Sequence, residues 1–178
     1  GVRGRLDYLE GLGVNCIELM PVTNVREPFR WGYMPLSYFA IEERYGGKAA
    51  LQALVDEAHG RAIAVIHDAV YAHAHGDFCY HRVYRLSGEE NPMMGFFVAD
   101  MFGGGANFAK PFTRDFFAAV NDYFLQDLHF DGFRYDYVPG YYDGPVGVGY
   151  AKLVYDSYRK SLHVPRFRAD GRSRIIQV

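Results

Sequence analysis

An arginine and an aspartate, Arg134 and Asp136, stand two positions apart inside the aromatic run "DGFRYDYV". Side chains alternate across a β-strand, so the pair is predicted to share one face. The opposite face then carries the aromatic residues Phe133, Tyr135 and Tyr137. One interpretation is a structural ion pair, since buried charges must satisfy each other. The other is that Arg134 keeps Asp136 ionised, and an oriented, ionised carboxylate is a nucleophile for an electrophilic carbon.

A second candidate cluster is "HDAVYAH", residues 67 to 73. Asp68 could act in chemistry or merely cap or pair within the fold. His73 follows in the loop, where it is either a surface histidine or a functional one. His67 lies on the face opposite Asp68 and is interpreted as a packed histidine rather than a ligand.

A third cluster is "WGYMPLSYFAIEERYGG", residues 31 to 47, which places Trp31, Tyr33, Tyr38 and Tyr45 on one loop. Sugar rings stack their C–H faces on aromatic rings, with polar groups around the rim of a concave site. The alternative for any single ring is ordinary packing, but the set favours a sugar site.

The elements that must position these clusters alternate along the chain. Apolar runs predict strands at "VNCIELMPV", "AIAVIHDAV", "DGFRYDYV" and "SRIIQV". Helical periodicity predicts helices around "LDYLEGLG", over 51–58 with an end at Gly60, over 116–128 with Thr113 as the cap, and over 149–161. Such alternation is typical of parallel βαβ units, whose reactive residues gather at the carboxyl ends of the strands. Residues 71–112 show no periodicity and predict a functional loop or a small inserted subdomain.

Composition excludes several classes of function. The chain has 178 residues, of which 49% are hydrophobic and 22% charged, with a net charge of −2. No basic cluster indicates nucleic-acid binding, and no apolar run is long enough to span a membrane. The two cysteines, Cys16 and Cys79, have neither zinc-site nor disulfide-framework spacing. They slightly favour a reducing, cytoplasmic compartment.

Taken in order, the clusters resemble the α-amylase family, glycoside hydrolase family 13. "GVNCIELMPV" is similar to its second barrel strand, and "WGYMPLSYFAIEERYGG" to the loop that follows. "HDAVYAH" and "DGFRYDYV" resemble its signatures at the ends of strands three and four, and "ANFAKPFTRDFF" the segment between them. The resemblance implies an α/β fold, with residues 1–178 forming part of a (β/α)₈ TIM barrel, about strands 2 to 5. Residues 71–112 would be a long irregular insertion after strand 3.

The resemblance also assigns roles to residues. Asp136 is implied as the nucleophile, Arg134 as its partner and Asp68 as a supporting carboxylate. His73 is implied as a hydrogen-bond donor to the cleaved sugar and Tyr33 as the ring on which that sugar stacks.

The implied activity is retaining hydrolysis of α-glucosidic bonds in starch, glycogen or malto-oligosaccharides, with an α-glucan as the partner and no cofactor. The "ELMPV" and "WGYMP" variants look closest to family members that act on glycogen or malto-oligosaccharides, including branching and trehalose-releasing enzymes. Glucan branching by the same intermediate is an alternative, as is a non-catalytic amylase-like domain used for binding or assembly. Linkage preference and oligomeric state stay open.

Two departures from the family pattern bear on metal binding. Ala72 stands where members with a structural calcium usually have asparagine, and Pro139-Gly140 stands where many have Lys-His. We therefore expect no metal at that site.

A further expectation concerns the proton donor. The strand "SRIIQV" predicts a glutamate about two positions beyond Val178 as the general acid and base, followed later by a His-Asp pair. We expect the 178-residue chain alone to be inactive, because it lacks this acid and base. We also expect it to be poorly soluble or partly folded, because its sheet has open edges.

Overall fold

The computed structural model describes residues 1–27, 31–95, 104–141 and 147–178. Its strands, in chain order, are β1 (Cys16–Leu19), β2 (Ala64–Ala69), β3 (His73–Ala74), β4 (Met94–Gly95), β5 (Gly104–Ala106), β6 (Gly132–Tyr135), β7 (Arg168–Ala169), β8 (Arg172–Ser173) and β9 (Ile176–Gln177). The main sheet has the order β1-β2-β6-β9, and every neighbouring pair in it is parallel. The predicted parallel βαβ arrangement is confirmed.

The helices are α1 (Leu6–Gly11), α2 (Gly47–His59), α3 (Cys79–Ser87), α4 (Pro111–Asp122) and α5 (Val148–Ser161). Gly60 follows α2 as its C-cap, as predicted. The predicted cap of α4 was wrong, because the helix begins at Pro111 and its N-cap is Lys110. Thr113 lies inside the first turn, where its hydroxyl donates to the Met93 carbonyl at 2.7 Å.

An aromatic core fills the space between the sheet and the helices. Phe133 and Tyr135 on β6 are buried on the helix-facing side. Phe124, in the π-helical turn Tyr123–Asp127 that continues α4, packs edge-on against Phe133 with ring centroids 6.5 Å apart. The predicted alternation of β6 holds as far as Tyr135. It does not extend to Tyr137, because the strand ends and Tyr137 has a left-handed φ of +50°.

The segment after β2 has more regular structure than the sequence indicated. β3, β5 and β4 form a small antiparallel sheet in that order, and α3 lies between β3 and β4 in the chain. Short regular elements therefore lie within the insertion that follows β2. Residues 96–103 of this stretch lie outside the described part of the chain, and its status as a separate subdomain stays a prediction.

No helix within the described ranges is long and apolar enough to cross a lipid bilayer.

Candidate active site

The candidate site is built on the register of two neighbouring strands. In the parallel ladder of β2 and β6, Asp68 is the partner of Arg134. Both side chains project from the same face of the sheet, so one guanidinium nitrogen, Nη1 of Arg134, donates to Asp68 Oδ1 at 2.9 Å and to Asp136 Oδ1 at 2.6 Å. Burial lowers the pKa of Arg134, but the hydrogen bonds to the two carboxylates outweigh it and raise the pKa overall. The arginine is a permanent cation between two acids.

Asp136 lies just past the end of β6 and is held by its backbone as well as its side chain. Its amide donates to the Ala69 carbonyl at the end of β2, at 3.0 Å. Its side chain is 20% exposed, whereas that of Asp68 is 2% exposed. Only Oδ1 of Asp136 has a side-chain partner within the described ranges. Asp136 is thus the carboxylate of the pair that an incoming molecule can reach.

Tyr33 closes the cluster from the loop after β1. Its hydroxyl donates to Asp68 Oδ2 at 2.6 Å. Burial, followed by the hydrogen bond and charge of Asp68, raises the pKa of Tyr33, so the phenol stays protonated. The preceding Gly32 has φ +94°, and a Cβ there would lie 2.4 Å from the Pro21 carbonyl oxygen. Only glycine allows this close approach of the loop to the end of β1.

The base of the same loop is fastened by a buried carboxylate, Glu42. Glu42 accepts hydrogen bonds from Arg44 Nε at 2.6 Å, from the Val25 amide at 3.1 Å and from Asn24 Nδ2 at 3.2 Å. The hydrogen bond from Arg44 is the main cause that lowers the pKa of Glu42 to about 2, so this carboxylate is ionised at neutral pH. The two ends of the loop are joined at this point, and Tyr33 lies between them.

His73 lies in β3 and is 4% exposed, so it is not a surface histidine. Its Nε2 is 2.8 Å from the carbonyl oxygen of Tyr33. A carbonyl oxygen only accepts, so Nε2 carries the hydrogen of this bond. Burial lowers the pKa of His73, and the neutral tautomer protonated on Nε2 is therefore favoured. The histidine fixes the backbone of the residue that clamps Asp68.

The five predicted site residues are therefore brought together in one connected cluster: Tyr33, Asp68, His73, Arg134 and Asp136. The hypothesis of a four-ring aromatic site was wrong. Tyr38 is a core residue, 2% exposed, with its ring edge-on to Phe117 at 5.0 Å. Trp31 and Tyr45 line a different, apolar cavity of about 610 Å³ beside β1 and α2.

The interpretation of His67 as a packed histidine is confirmed. Its ring stacks on Phe124 with the centroids 3.9 Å apart and the planes at 6°. Burial lowers the pKa of His67 to about 3, and it lies on the helix-facing side, away from Asp68.

At the positions where calcium-binding family members carry ligands, this chain has Ala72 and Pro139-Gly140. Ala72 is fully buried, and a Cβ added at Gly140 would lie 2.6 Å from the Ala72 Cβ. The two residues therefore pack directly together, and their side chains carry no oxygen or imidazole ligand. Elsewhere in the described ranges, no group of three or more His, Cys, Asp or Glu side chains is placed to hold a metal ion.

Sequence reasoning missed Tyr141, which joins the ends of β2 and the segment after β6. Its hydroxyl donates to the Ala69 carbonyl at 2.7 Å and accepts from the Tyr71 amide at 3.0 Å. The Ala69 carbonyl thus accepts hydrogen bonds from both the Tyr141 hydroxyl and the Asp136 amide. The sequence signal was slight, because a tyrosine in a Gly/Pro/Tyr loop has no periodicity that predicts burial.

Acidic side chains clustered at the carboxyl ends of parallel strands are the arrangement found in (β/α)₈ barrel enzymes. The family model described as the α-amylase catalytic domain matches residues 1–106. The chain belongs to the α-amylase family.

Individual relatives agree with this assignment. Over 137 residues the chain is 36% identical to malto-oligosyltrehalose trehalohydrolase of Arthrobacter ramosus, which covers 75% of the chain and 23% of that protein. Over 138 residues it is 33% identical to the 1,4-α-glucan branching enzyme of Picrophilus torridus, covering 75% of the chain and 19% of the relative. The chain therefore spans less than a quarter of the length of these relatives.

A solved structure confirms the fold class. The α-amylase of Geobacillus thermoleovorans, in complex with acarbose, superposes with a TM-score of 0.74 at 20% identity, covering 89% of this chain and 37% of that one. The chain is thus part of a TIM barrel, as the resemblance implied.

Proposed function

We propose that the whole protein containing this chain is a retaining glycoside hydrolase that cleaves α-glucosidic bonds of starch, glycogen or malto-oligosaccharides. The observation that carries this proposal is the bridge made by Arg134 Nη1 between the accessible Asp136 and the buried Asp68. That bridge holds the Asp136 carboxylate beside a cation and in a fixed orientation, at the strand ends where barrel enzymes bind substrate.

Asp136 acts as the nucleophile in the first half of the reaction. A carboxylate oxygen attacks the anomeric carbon, a C–O bond forms to Asp136, and the glycosidic C–O bond breaks. The leaving oxygen takes its proton from a second carboxylic acid. Asp68 is not that acid, because both of its oxygens already accept hydrogen bonds, from Arg134 and Tyr33. In the second half, water attacks the anomeric carbon, gives its proton to the second carboxylate and restores Asp136.

Tyr33 and His73 shape the place where the sugar lies. The Tyr33 ring is half-buried and offers a face for stacking while its hydroxyl stays on Asp68. His73 uses Nε2–H on the Tyr33 carbonyl in this arrangement. To donate to a sugar hydroxyl, its imidazole must release that carbonyl or take up a second proton.

The family and its relatives support the proposed substrate class. A trehalohydrolase of malto-oligosyltrehalose and an α-glucan branching enzyme are both similar to this chain. Maltodextrin and malto-oligosyltrehalose are therefore the substrates to test, and water is the proposed acceptor.

The test compares the whole wild-type protein with Asp136→Asn and with Asp115→Asn, a matched change of an exposed carboxylate on α4. Reducing ends, trehalose and new α-1,6 linkages are measured. Hydrolysis increases the number of reducing ends. Branching transfer adds α-1,6 linkages at a constant number of reducing ends, and a non-catalytic protein changes neither.

We expect the wild type and Asp115→Asn to hydrolyse at equal rates, and Asp136→Asn to lose several orders of magnitude in kcat, because no covalent intermediate can form. Activity of Asp136→Asn within tenfold of the wild type would remove Asp136 from this role. New linkages without new reducing ends would replace hydrolysis by transfer.

A further inference from the structure

A buried network of polar side chains lies behind the candidate site, on the helix-facing side of the sheet. Its centre is Asn121 on α4, which is 1% exposed. The Asn121 Oδ1 accepts from the Tyr71 hydroxyl at 2.8 Å. Its Nδ2 donates to the Tyr135 hydroxyl at 3.1 Å and to Ser157 Oγ at 2.8 Å. All the hydrogen-bonding groups of this amide except one acceptor lone pair are in use.

The partners of Asn121 come from the elements that form the site. Tyr71 lies two residues after the end of β2, which carries Asp68, and two residues before His73. Tyr135 lies on β6 between Arg134 and Asp136. Asn121 therefore connects the two strand ends that carry the charged cluster.

The network continues to the neighbouring strand and helix. The Tyr135 hydroxyl donates to Gln177 Oε1 on β9 at 2.9 Å, and Gln177 Nε2 donates to the Val154 carbonyl on α5 at 3.1 Å. Ser157 Oγ donates to the Leu153 carbonyl at 2.9 Å. Each donor meets an acceptor, so the direction of every bond in the network is determined.

Such a network selects one arrangement of its elements. Apolar packing tolerates small shifts, whereas a buried donor or acceptor that loses its partner bears the full penalty of having been removed from water. A slide of β2 against β6 would break the bonds of Asn121 to Tyr71 or Tyr135. Fully satisfied buried networks rigidify the structure for this reason.

We propose that Asn121 is a positioning residue for the reaction: it holds the ends of β2 and β6 in the register that places Asp136 against Arg134 and Asp68. Asn121 touches none of these three residues in the described contacts and acts through Tyr135 and Tyr71. The inference rests on the proposed role of Asp136 as the nucleophile. Misplacing a reacting group by about 1 Å can cost on the order of 100-fold in rate.

The test compares Asn121→Ala with Thr113→Val in the whole protein. Thr113 is a matched control, because it is fully buried on the same helix and makes a hydrogen bond outside the network, to the Met93 carbonyl. The melting temperature of each variant is measured first. Then kcat and KM are measured with maltodextrin as the substrate, at a temperature well below the melting temperature of every variant. Tyr135→Phe, which removes a single hydroxyl, is measured as well and serves if Asn121→Ala does not fold.

We expect both helix variants to melt at lower temperature, but only Asn121→Ala to lose about tenfold or more in kcat with KM changed less than about twofold. Tyr135→Phe should lower kcat in the same way. The double variant Asn121→Ala/Tyr135→Phe should lose less kcat than the product of the two single-variant losses, because both changes break the same network. Equal kcat values for Asn121→Ala and Thr113→Val, or multiplicative losses in the double variant, would overturn the proposal.

These outcomes are distinct from failure of the proposed function. If the wild type shows no hydrolysis, or if Asp136→Asn stays active, the nucleophile is misassigned. If Asp136→Asn is inactive while Asn121→Ala matches its control, the nucleophile stands and the positioning role is wrong.

Discussion

Tyr33 donates its hydroxyl to Asp68 Oδ2 at 2.6 Å, on the carboxylate whose other oxygen accepts from Arg134 at 2.9 Å. The ring interpreted as a stacking platform is therefore also a clamp on the supporting carboxylate. Because Asp68 is buried, the loss of this donor would leave a charged oxygen without a hydrogen bond. The stacking and clamping roles can be separated by mutation.

Tyr33→Phe should keep the stacking face and lose the clamp, so we expect kcat to fall about tenfold with little change in KM. A hydrogen bond to a charged group contributes about 1.5–3 kcal/mol. Tyr33→Ala removes the ring as well and should also raise KM. Tyr45→Phe is the matched control, since Tyr45 lies on the same loop and is 52% exposed. Wild-type kinetics for Tyr33→Phe would show that the hydrogen bond has no catalytic consequence.

Arg134 is predicted to contribute to both stability and catalysis. A second substitution, Asp68→Asn, separates the two contributions. Arg134→Met leaves the buried Asp68 uncompensated, and we expect a loss of stability on the order of 3 kcal/mol, reduced by the partial exposure of the arginine. Adding Asp68→Asn removes the buried charge and should restore much of the melting temperature without restoring activity. The melting temperatures and kcat of the single and double variants check this. Recovery of kcat in the double variant would contradict the need for a cation beside Asp136.

The pH dependence of stability should report the buried histidine His67. Its ordinary pKa is 6.5 and burial lowers it to about 3 in the folded chain, so below about pH 6.5 the unfolded chain binds a proton that the folded chain does not. Stability should therefore fall as the pH drops from 6.5 towards 3, by at most ~1.4 kcal/mol per pH unit from this group. The lowered pKa of His73 acts in the same direction.

Between pH 6.5 and 4.5, the contribution of the histidines to the pH dependence of stability can be measured separately from that of Glu42. The pKa of that carboxyl is lowered from 4.5 to about 2, so its contribution is lost only at more acidic pH. Denaturant unfolding across this window should show a shallower slope for His67→Leu than for the wild type. His163→Leu, at an exposed histidine, should leave the slope unchanged. Equal slopes for all three proteins would mean that His67 does not stay neutral in the folded chain.

The main sheet and most helices could be predicted because their patterns are local. β2 is a buried strand whose only polar residues are His67 and Asp68, and α2 repeats its buried residues at helical spacing. The charged pair at Arg134 and Asp136 was visible for the same reason, since strand alternation places both on one face. The contacts of Arg134 with Asp68, in contrast, depend on the register of two strands 66 residues apart.

The features that could not be predicted from the sequence depend on contacts between distant segments of the chain. β3 and β4 are two residues long, too short for a periodic signal, and they exist only because β5 pairs with both. Tyr38 was assigned to a sugar site, but a loop aromatic enters the core when neighbours from other elements, here Phe117 and Tyr71, surround it. Asn121 could have been noticed as a polar residue on an apolar helix stripe, although its partners were not predictable.

The close packing of Ala72 against Gly140 leads to a prediction about metal dependence. If this apolar contact occupies the place of calcium ligands, no bound ion contributes to the folded state, and a chelator should leave the melting temperature of the whole protein nearly unchanged. The close packing of Gly140 against Ala72 should instead determine the stability of this region. Gly140→Ala should lower the melting temperature, because its Cβ would lie 2.6 Å from that of Ala72. Gly76→Ala is the matched control, since a Cβ there meets nothing within 4 Å. A loss of many degrees with chelator, reversed by calcium, would show that other oxygen ligands hold an ion.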